Sequence, residues 1–174
     1  MFQNLKRRSF DKVIASEVAR RDASQINEAL HTLGFLVDED TFKEIDTLLE
    51  SYAYFELQPK DVKVFTFVTH SKKAPSLRQN QVSNKDFSWK GVITNKNATE
   101  FLDTSFDVLV GYYANENQYL DVMMAKSKAK FKVGLSKGNP DLYDLLIDVS
   151  LNDFGKFKTE LKKYLTVLGK LKNK

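Results

Sequence analysis

Short runs of apolar residues alternate along this chain with stretches in which apolar residues recur every three or four positions. The runs lie at residues 34–37, 62–68, 106–111 and 131–135 and are dense in β-branched or other apolar side chains. Runs with little polar alternation are typical of strands that are covered on both faces. Their alternation with helical stretches predicts an α/β domain with a Rossmann-like three-layer arrangement around a mainly parallel sheet.

Amphipathic stretches predict the helices of this domain. The first covers residues 10–21, and the second begins near Thr41, which fits a capping box with Glu44. A third helix follows the run at 106–111, with Asn115 as its N-cap, and a last helix covers residues 154–171. The strand, helix and strand between residues 34 and 68 have the length of a right-handed parallel crossover.

The remaining segments predict the edges of the sheet. Residues 71–86 are mostly polar and are interpreted as an exposed loop, whereas the alternation at residues 87–91 predicts a short half-buried strand. Residues 142–149 predict a further strand, separated by only a short segment from the run at 131–135. A parallel crossover usually needs about a dozen residues or more. This last pair is therefore either an antiparallel hairpin or an irregular edge.

The chain divides into a basic N-terminal helical segment, residues 1–30, and a single α/β domain, residues 31–174. The first helix lies before the first strand and has an apolar stripe flanked by basic residues. It either packs on the domain or projects and meets a partner, as basic amphipathic helices do at membranes and in helix grooves.

Composition narrows the class of protein. The chain has 174 residues, of which 42% are hydrophobic, and contains no Cys. Its length suits one domain with a proper core. The lack of Cys excludes disulfide scaffolds, thiol catalysis, thiolate zinc sites and iron–sulfur clusters. No apolar run approaches the roughly 18 to 20 residues that cross a bilayer, and the start lacks a signal-peptide core. We therefore expect a cytoplasmic protein.

The formal net charge of +4 is distributed in blocks. Residues 1–22, 71–96 and 156–174 are basic, and residues 31–62 are acidic. Such blocks occur on ordinary solvated helices, but they also permit contact with polyanions. We favour a non-enzymatic binding or adaptor module whose basic terminal helices contact an anionic partner: RNA or a ribonucleoprotein, a membrane surface, or an acidic protein. The candidate polyanion-binding residues are Lys6, Arg7, Arg8, Arg20, Arg21, Lys72, Lys73 and Arg78.

Aromatic residues lie among lysines at one place, where Phe87 and Trp89 neighbour Lys85 and Lys90. Stacking platforms for nucleic acids need this mixture of side chains. The alternation of Phe87 and Trp89 with polar residues is equally consistent with two side chains that face the core.

The sequence contains no GxGxxG, GxxxxGK[ST] or GxSxG motif. This disfavours a dinucleotide site or P-loop in its usual form and an α/β-hydrolase. The two histidines lie far apart in the sequence, which disfavours a zinc site. We assign no catalytic residue and expect neither a cofactor nor a bound metal.

Polar residues near the ends of the predicted strands support a second hypothesis. Open parallel sheets bind ligands outside the carboxyl ends of their strands. A small enzyme or ligand-binding protein for a phosphorylated or sugar-like molecule would use such residues. The candidates are Asp38, Asp40, His70, Tyr112, Asn115 and Asp148. Asp38-Glu39-Asp40 also resembles the Asp-x-Asp of haloacid-dehalogenase phosphatases, although acidic residues equally favour a helix N-terminus.

Three stretches carry a family resemblance: GFLVDEDTFKEIDTLL, FDVLVGYYANENQYLDVMMAKSKAKFKVGL and NDFGKFKTELKKYLTVLGKL. Together they resemble a bacterial family of conserved hypothetical proteins known only as a domain of unknown function, over nearly the whole chain. This resemblance implies no activity, cofactor or catalytic residue. The middle stretch alone is similar to the Rossmann-like half of lipopolysaccharide heptosyltransferases. That similarity implies a shared architecture, which does not convey function.

Overall fold

Strands and helices alternate along the chain in the computed structural model, which describes residues 1–172. Within this range the α-helices are α1 Phe2–Arg20, α2 Ile45–Leu49, α3 Lys96–Asp103, α4 Gln118–Lys126 and α5 Phe154–Val167. The strands are β1 Leu33–Asp38, β2 Val62–Val68, β3 Gln81–Ser83, β4 Val108–Tyr112, β5 Lys132–Leu135 and β6 Leu145–Ile147. No helix among the described residues is long and apolar enough to cross a membrane.

The strands form one six-stranded sheet in the order β3-β2-β1-β4-β5-β6. Every neighbouring pair is parallel. In the centre, Leu33 of β1 pairs with Val62 of β2 on one side and with Val108 of β4 on the other. This is the strand order of the doubly wound dinucleotide-binding folds. The predicted Rossmann-like α/β architecture is confirmed.

Each face of the sheet carries its own apolar core, because successive side chains of a strand point to opposite faces. Phe35 and Val37 of β1 pack in a cluster with residues of α2 and α5. Leu36, between them, packs in a second cluster with residues of α1, α3 and α4. All three side chains are fully buried. Burial on both faces explains why the central strands lack polar alternation.

The N-terminal helix packs on the domain. Phe10 of α1 is completely buried, and its ring meets that of Tyr119 in α4 edge-on, with 5.5 Å between centroids. The Nζ atom of Lys6 donates a hydrogen bond of 2.7 Å to the Tyr119 hydroxyl. Just beyond the helix, the Arg21 guanidinium donates two hydrogen bonds of 2.7 Å to the Asp144 carboxylate. Contacts at both ends therefore hold α1 against the sheet domain.

The edge strand β6 is parallel to β5, so of the two predicted alternatives the antiparallel hairpin is wrong. The connection between them, residues 136–144, contains no helix. Instead, the ring of Tyr143 lies directly on β5: a Cβ added at Gly134 would come within 2.8 Å of its ring atoms. The Tyr143 hydroxyl donates a hydrogen bond of 2.8 Å to that of Tyr113. One half-buried aromatic ring thus covers strand surface that a crossover helix usually covers, which lets the connection stay short.

The opposite edge also differs from the prediction. The polar segment 71–86 contains β3, whose residues Gln81–Ser83 pair with the end of β2. Residues 87–91 do not join the sheet; they belong to a turn closed by a single bridge between Phe87 and Ile93. Gly91 in this turn has a φ of 79°, which glycine adopts without a steric penalty. Two of the three β3 residues are polar although they are buried, so hydrophobic patterning does not reveal this strand.

The buried amine of Lys132 forms a hydrogen bond at the C-terminal end of α4. Lys132 of β5 is 2% exposed, and its Nζ donates a hydrogen bond of 2.6 Å to the Met124 carbonyl oxygen. A cation at this end of a helix interacts favourably with the helix dipole. Burial, and secondarily the nearby charge of Arg21, lower the pKa of Lys132 to about 8.

We expect Gly134→Ala to lower the free energy of unfolding by about 1–3 kcal/mol, because the added methyl group overpacks the contact with Tyr143. Gly155→Ala in α5 is the matched control, since its added Cβ would meet nothing nearer than 3.9 Å. Alanine favours a helix over glycine by up to about 1 kcal/mol, so this control should keep or gain stability. Urea denaturation of both variants checks the difference, and equal stabilities would contradict the role given to Tyr143.

Lys132 should also give stability a distinct pH dependence. The folded protein releases this proton near pH 8, whereas the unfolded chain holds it to about 10.5. Between these values the unfolded state binds more protons, so stability rises with pH. Relative to Lys132→Met, we expect the wild type to gain about 2–3 kcal/mol between about pH 7 and about pH 10. Urea denaturation of both proteins across this pH range tests the prediction. A difference in stability between wild type and variant that does not vary with pH would contradict the lowered pKa of Lys132.

Candidate functional site

The carboxyl ends of β1 and β4 lie side by side at the centre of the sheet. From β1 the chain runs through α2 to β2 on one side, and from β4 it runs through α4 to β5 on the other. The two helices pack on opposite faces of the sheet. A crevice forms where these connections part, and open α/β sheets bind ligands at this position.

Asp38, the last residue of β1, joins the two sides of this crevice. Its side chain is buried, and its Oδ2 accepts hydrogen bonds of 3.2 Å from the carboxamide nitrogens of Asn115 and Asn117. Its Oδ1 accepts the backbone N–H of Asp40 at 3.0 Å. No cation pairs with Asp38 among residues 1–172. The carboxylate is therefore satisfied by neutral donors that come from both sides of the crevice.

Asn117, rather than the predicted Asn115, caps α4. Its Oδ1 accepts the backbone N–H groups of Tyr119 and Leu120, each at 3.1 Å, while its Nδ2 donates to Asp38. An asparagine at the N-cap satisfies free backbone donors in this way. The cap and the Asp38 network are thus built by one side chain, which fixes the start of α4 relative to β1.

The capping box predicted for α2 does not form. The Thr41 hydroxyl donates a hydrogen bond of 3.2 Å to the Asp38 carbonyl oxygen, and α2 begins only at Ile45. Residues 39–41 instead form a turn that begins at Asp38. This turn carries Asp40 beside the crevice.

A cavity of about 400 Å³ opens between the segments after β1 and β4. Asp38, Asp40 and Asn115 line it. Arg7 of α1 lines it as well, but its guanidinium forms an ion pair with Glu116, a further lining residue. The three carboxylates outnumber the single arginine, so the cavity has a negative formal charge.

A second cavity of about 500 Å³ adjoins the first and shares Asp40 and Thr69 with it. The Asp40 carboxylate accepts the backbone N–H of Thr69 at 2.9 Å. His70 lines this second cavity, and its backbone N–H donates to Oδ1 of Asn84 at 2.7 Å. Of the six predicted pocket residues, Asp38, Asp40, His70 and Asn115 therefore lie on two adjoining cavities at the carboxyl edge.

Tyr112 and Asp148 are not brought to these cavities. Tyr112 is fully buried in the core under α2 and α5, and its hydroxyl donates a hydrogen bond of 2.6 Å to the Leu151 carbonyl oxygen. Asp148 follows the edge strand β6 and accepts the Ser136 hydroxyl at 3.1 Å. Tyr112 ends a strand at the correct edge, but its side chain packs in the core of one face. Asp148 lies two strands beyond β4 in the sheet.

Sequence reasoning did not select Asn117 and Gln118, which also line the first cavity. Their roles depend on the exact residue at which α4 begins, and two asparagines precede this helix in the sequence. The Oε1 atom of Gln118 is buried and has no hydrogen-bond partner among the described residues.

Glu39 is the acceptor of a separate hydrogen-bond network beside β2 and β3. It accepts hydrogen bonds of 2.7 Å from the Thr66 hydroxyl and 2.9 Å from Nε2 of Gln81. The Arg78 guanidinium donates two more, at 2.9 and 2.7 Å. Burial alone would raise the pKa of Glu39, but these hydrogen bonds and the charge of Arg78 lower it.

Most of the candidate polyanion-binding residues have partners within the chain. Four of the arginines form ion pairs with carboxylates: Arg7 with Glu116, Arg20 with Glu17, Arg21 with Asp144 and Arg78 with Glu39. Lys6 donates to the Tyr119 hydroxyl. The side chains of Arg8, Lys72 and Lys73 are exposed.

Comparisons with known proteins give one match. Residues 6–168 match a family model described as a family of unknown function, DUF6913. No curated protein and no solved structure matches the chain. The family match spans nearly the whole chain and agrees with the resemblance to a domain of unknown function. No comparison supports the similarity of the middle stretch to heptosyltransferases.

We expect substitution of Arg21, just beyond α1, to lower stability more than substitution of Arg8 within α1. Arg21→Gln should lower the free energy of unfolding by about 1–3 kcal/mol, because it removes a partly buried ion pair with two hydrogen bonds. Arg8→Gln is the matched control and should change stability by less than about 0.5 kcal/mol. Thermal and urea unfolding measure both. Equal effects would show that the Asp144 contact does not hold α1.

Proposed function

The chain belongs to the DUF6913 family of unknown function, and we propose that it binds a small, hydroxyl-rich molecule in the crevice between β1 and β4. The observation that carries this proposal is the hydrogen-bond network of Asp38, which joins the turn after β1 to the side chains of Asn115 and Asn117 after β4. The network lies where doubly wound sheets bind their ligands. The proposal concerns binding and assigns no catalytic residue.

The network leaves hydrogen-bond acceptors on the cavity. Because Asn115 uses its carboxamide nitrogen for Asp38, its carboxamide oxygen remains to accept. One oxygen of Asp40 accepts from Thr69, which leaves the other to accept from a ligand. Hydroxyl groups both donate and accept hydrogen bonds. A ligand with several hydroxyls therefore suits this set of acceptors.

The charge of the cavity distinguishes the two ligands that the sequence suggests. Asp38 and Asp40 have no cationic partner among the described residues, and Arg7 is already paired with Glu116. A phosphate group at this position would be repelled and would find no free cation. These observations favour a neutral or amine-bearing, sugar-like ligand over a phosphorylated one.

Contact with an anionic macromolecule, the other function that the sequence suggests, has less support. Polyanion binding depends on lysines and arginines that are free to neutralise phosphates. Four of the eight candidate residues already neutralise carboxylates of the same chain. Arg8, Lys72 and Lys73 are the candidate residues that are exposed and form no ion pair among the described residues, so the support for this hypothesis is limited to them.

Thermal unfolding with a panel of neutral sugars, amino sugars and their phosphate esters tests the proposal, since a ligand of the folded state raises the melting temperature. We expect a neutral or amino sugar to stabilise the wild type more than its phosphate ester does. For the best ligand, Asp40→Asn should weaken binding by about tenfold or more, as expected for loss of a charge-assisted hydrogen bond.

Asp141→Asn is the matched control for this experiment. Asp141 is exposed in the connection between β5 and β6, so the substitution makes the same charge change away from the crevice and should leave ligand affinity unaltered. Tighter binding of the phosphate esters, or an equal effect of both substitutions, would refute the proposed site.

A further inference from the structure

Exposed apolar side chains are concentrated at the start of α1 and on a turn that packs against the middle of this helix. Nine large hydrophobic side chains are exposed among the described residues, and five of them lie on this part of the surface: Met1, Phe2, Leu5, Trp89 and Val92. Trp89 and Val92 belong to the turn that contains Gly91. This turn packs against the helix, since a Cβ at Gly91 would lie 3.2 Å from the Val13 side chain.

Helical geometry relates the directions of the α1 side chains to the position of the Trp89 turn. Phe2 and Val13 are separated by three turns of helix and point in directions that differ by only about 20°, so Phe2 lies on the side of the Trp89 turn. Leu5 and Lys12, two turns apart, share a similar direction and lie next to Arg8. All of these side chains except Val13 are exposed. We call Phe2, Leu5, Arg8, Lys12, Trp89 and Lys90 the α1 face.

The α1 face is cationic. Arg8 and Lys12 are exposed and form no ion pair within residues 1–172. Lys90 Nζ lies over the Trp89 ring, 5.1 Å from its centroid. Of the acidic residues of α1, Asp11 interacts electrostatically with Arg7 and Asp121, and Glu17 pairs with Arg20.

We propose that the α1 face binds the surface of a lipid bilayer that contains anionic lipids. Apolar side chains beside unpaired cations are the pattern of helices that lie in a membrane interface. Tryptophan is enriched at this depth, and each lysine or arginine near an anionic surface adds attraction. A nucleic acid would use the cations but would give Phe2 and Leu5 no apolar environment. Because Phe10 and Lys6 hold α1 against α4, the face is presented as a fixed surface.

Membrane binding by the α1 face does not depend on ligand binding in the crevice. It can be followed by the fluorescence of the protein's own tryptophan. Trp89 is the only tryptophan of the chain and is 49% exposed. Vesicles of phosphatidylcholine mixed with phosphatidylglycerol should shift its fluorescence to shorter wavelength and should sediment the full-length protein. Vesicles of phosphatidylcholine alone should do neither, and added salt should weaken the binding by screening the cations.

Two double variants separate the charged and apolar contributions. Arg8→Gln with Lys12→Gln should reduce partitioning into anionic vesicles by roughly thirtyfold at low salt, from about 1 kcal/mol for each cation. Phe2→Ser with Leu5→Ser should reduce it by about tenfold or more through lost apolar burial. All four side chains are exposed or surface-facing, so the melting temperature should not change.

Each double variant has a control at another exposed site. Lys43→Gln with Lys60→Gln makes the same charge change, and Val167→Ser with Leu168→Ser removes exposed apolar side chains at the end of α5. Neither control should alter vesicle binding. The proposal is overturned if wild-type Trp89 fluorescence and sedimentation do not respond to anionic vesicles, or if the controls lose as much binding as the α1 variants. Binding to single-stranded RNA that needs Arg8 and Lys12 but not Phe2 and Leu5, without vesicle binding, would also overturn it.

Discussion

A fully parallel sheet must exclude water from both faces, and the rest of this structure depends on that constraint. The helices α2 and α5 cover one face, and α3 and α4 cover part of the other. The helix α1 contributes Phe10 and Ile14 to this second core, which makes an N-terminal segment outside the strand–helix alternation a structural layer of the domain. With both faces occupied, the carboxyl edge is the part of the sheet where polar groups remain accessible, and the Asp38 network is found there.

The predictability of each element follows from its burial. The pattern at residues 62–68 gives β2 with its observed bounds, because that strand is apolar on both faces. The hydrophobic pattern does not predict β3, which has only three residues. It does not predict α3 either, since this helix has eight residues and buries only Ala98, Phe101 and Leu102. The direction of β6 depends on the packing of Tyr143 against Gly134, a contact that no local periodicity records.

The candidate site was predictable where a simple positional rule applies. Residues that follow strands β1, β2 and β4 lie at one edge, and this rule brings Asp38, His70 and Asn115 to the adjoining cavities. The rule says nothing about side-chain direction, which takes Tyr112 into a core. The basic blocks in the sequence do not show which arginines can contact a partner, because an arginine can form an ion pair with a carboxylate that is distant in the chain. Arg21 and Asp144 are 123 residues apart in the chain and nonetheless pair.

The separation of Arg21 from Asp144 has a consequence for how the protein is made. A ribosome releases α1 before the Tyr119 ring on which Phe10 packs and before the Asp144 carboxylate that holds Arg21. Domains generally form from their N-terminal end during synthesis, yet here α1 cannot dock until most of the sheet exists. Phe10 and Ile14 stay uncovered during that interval, so the nascent chain exposes two apolar side chains that the folded protein buries.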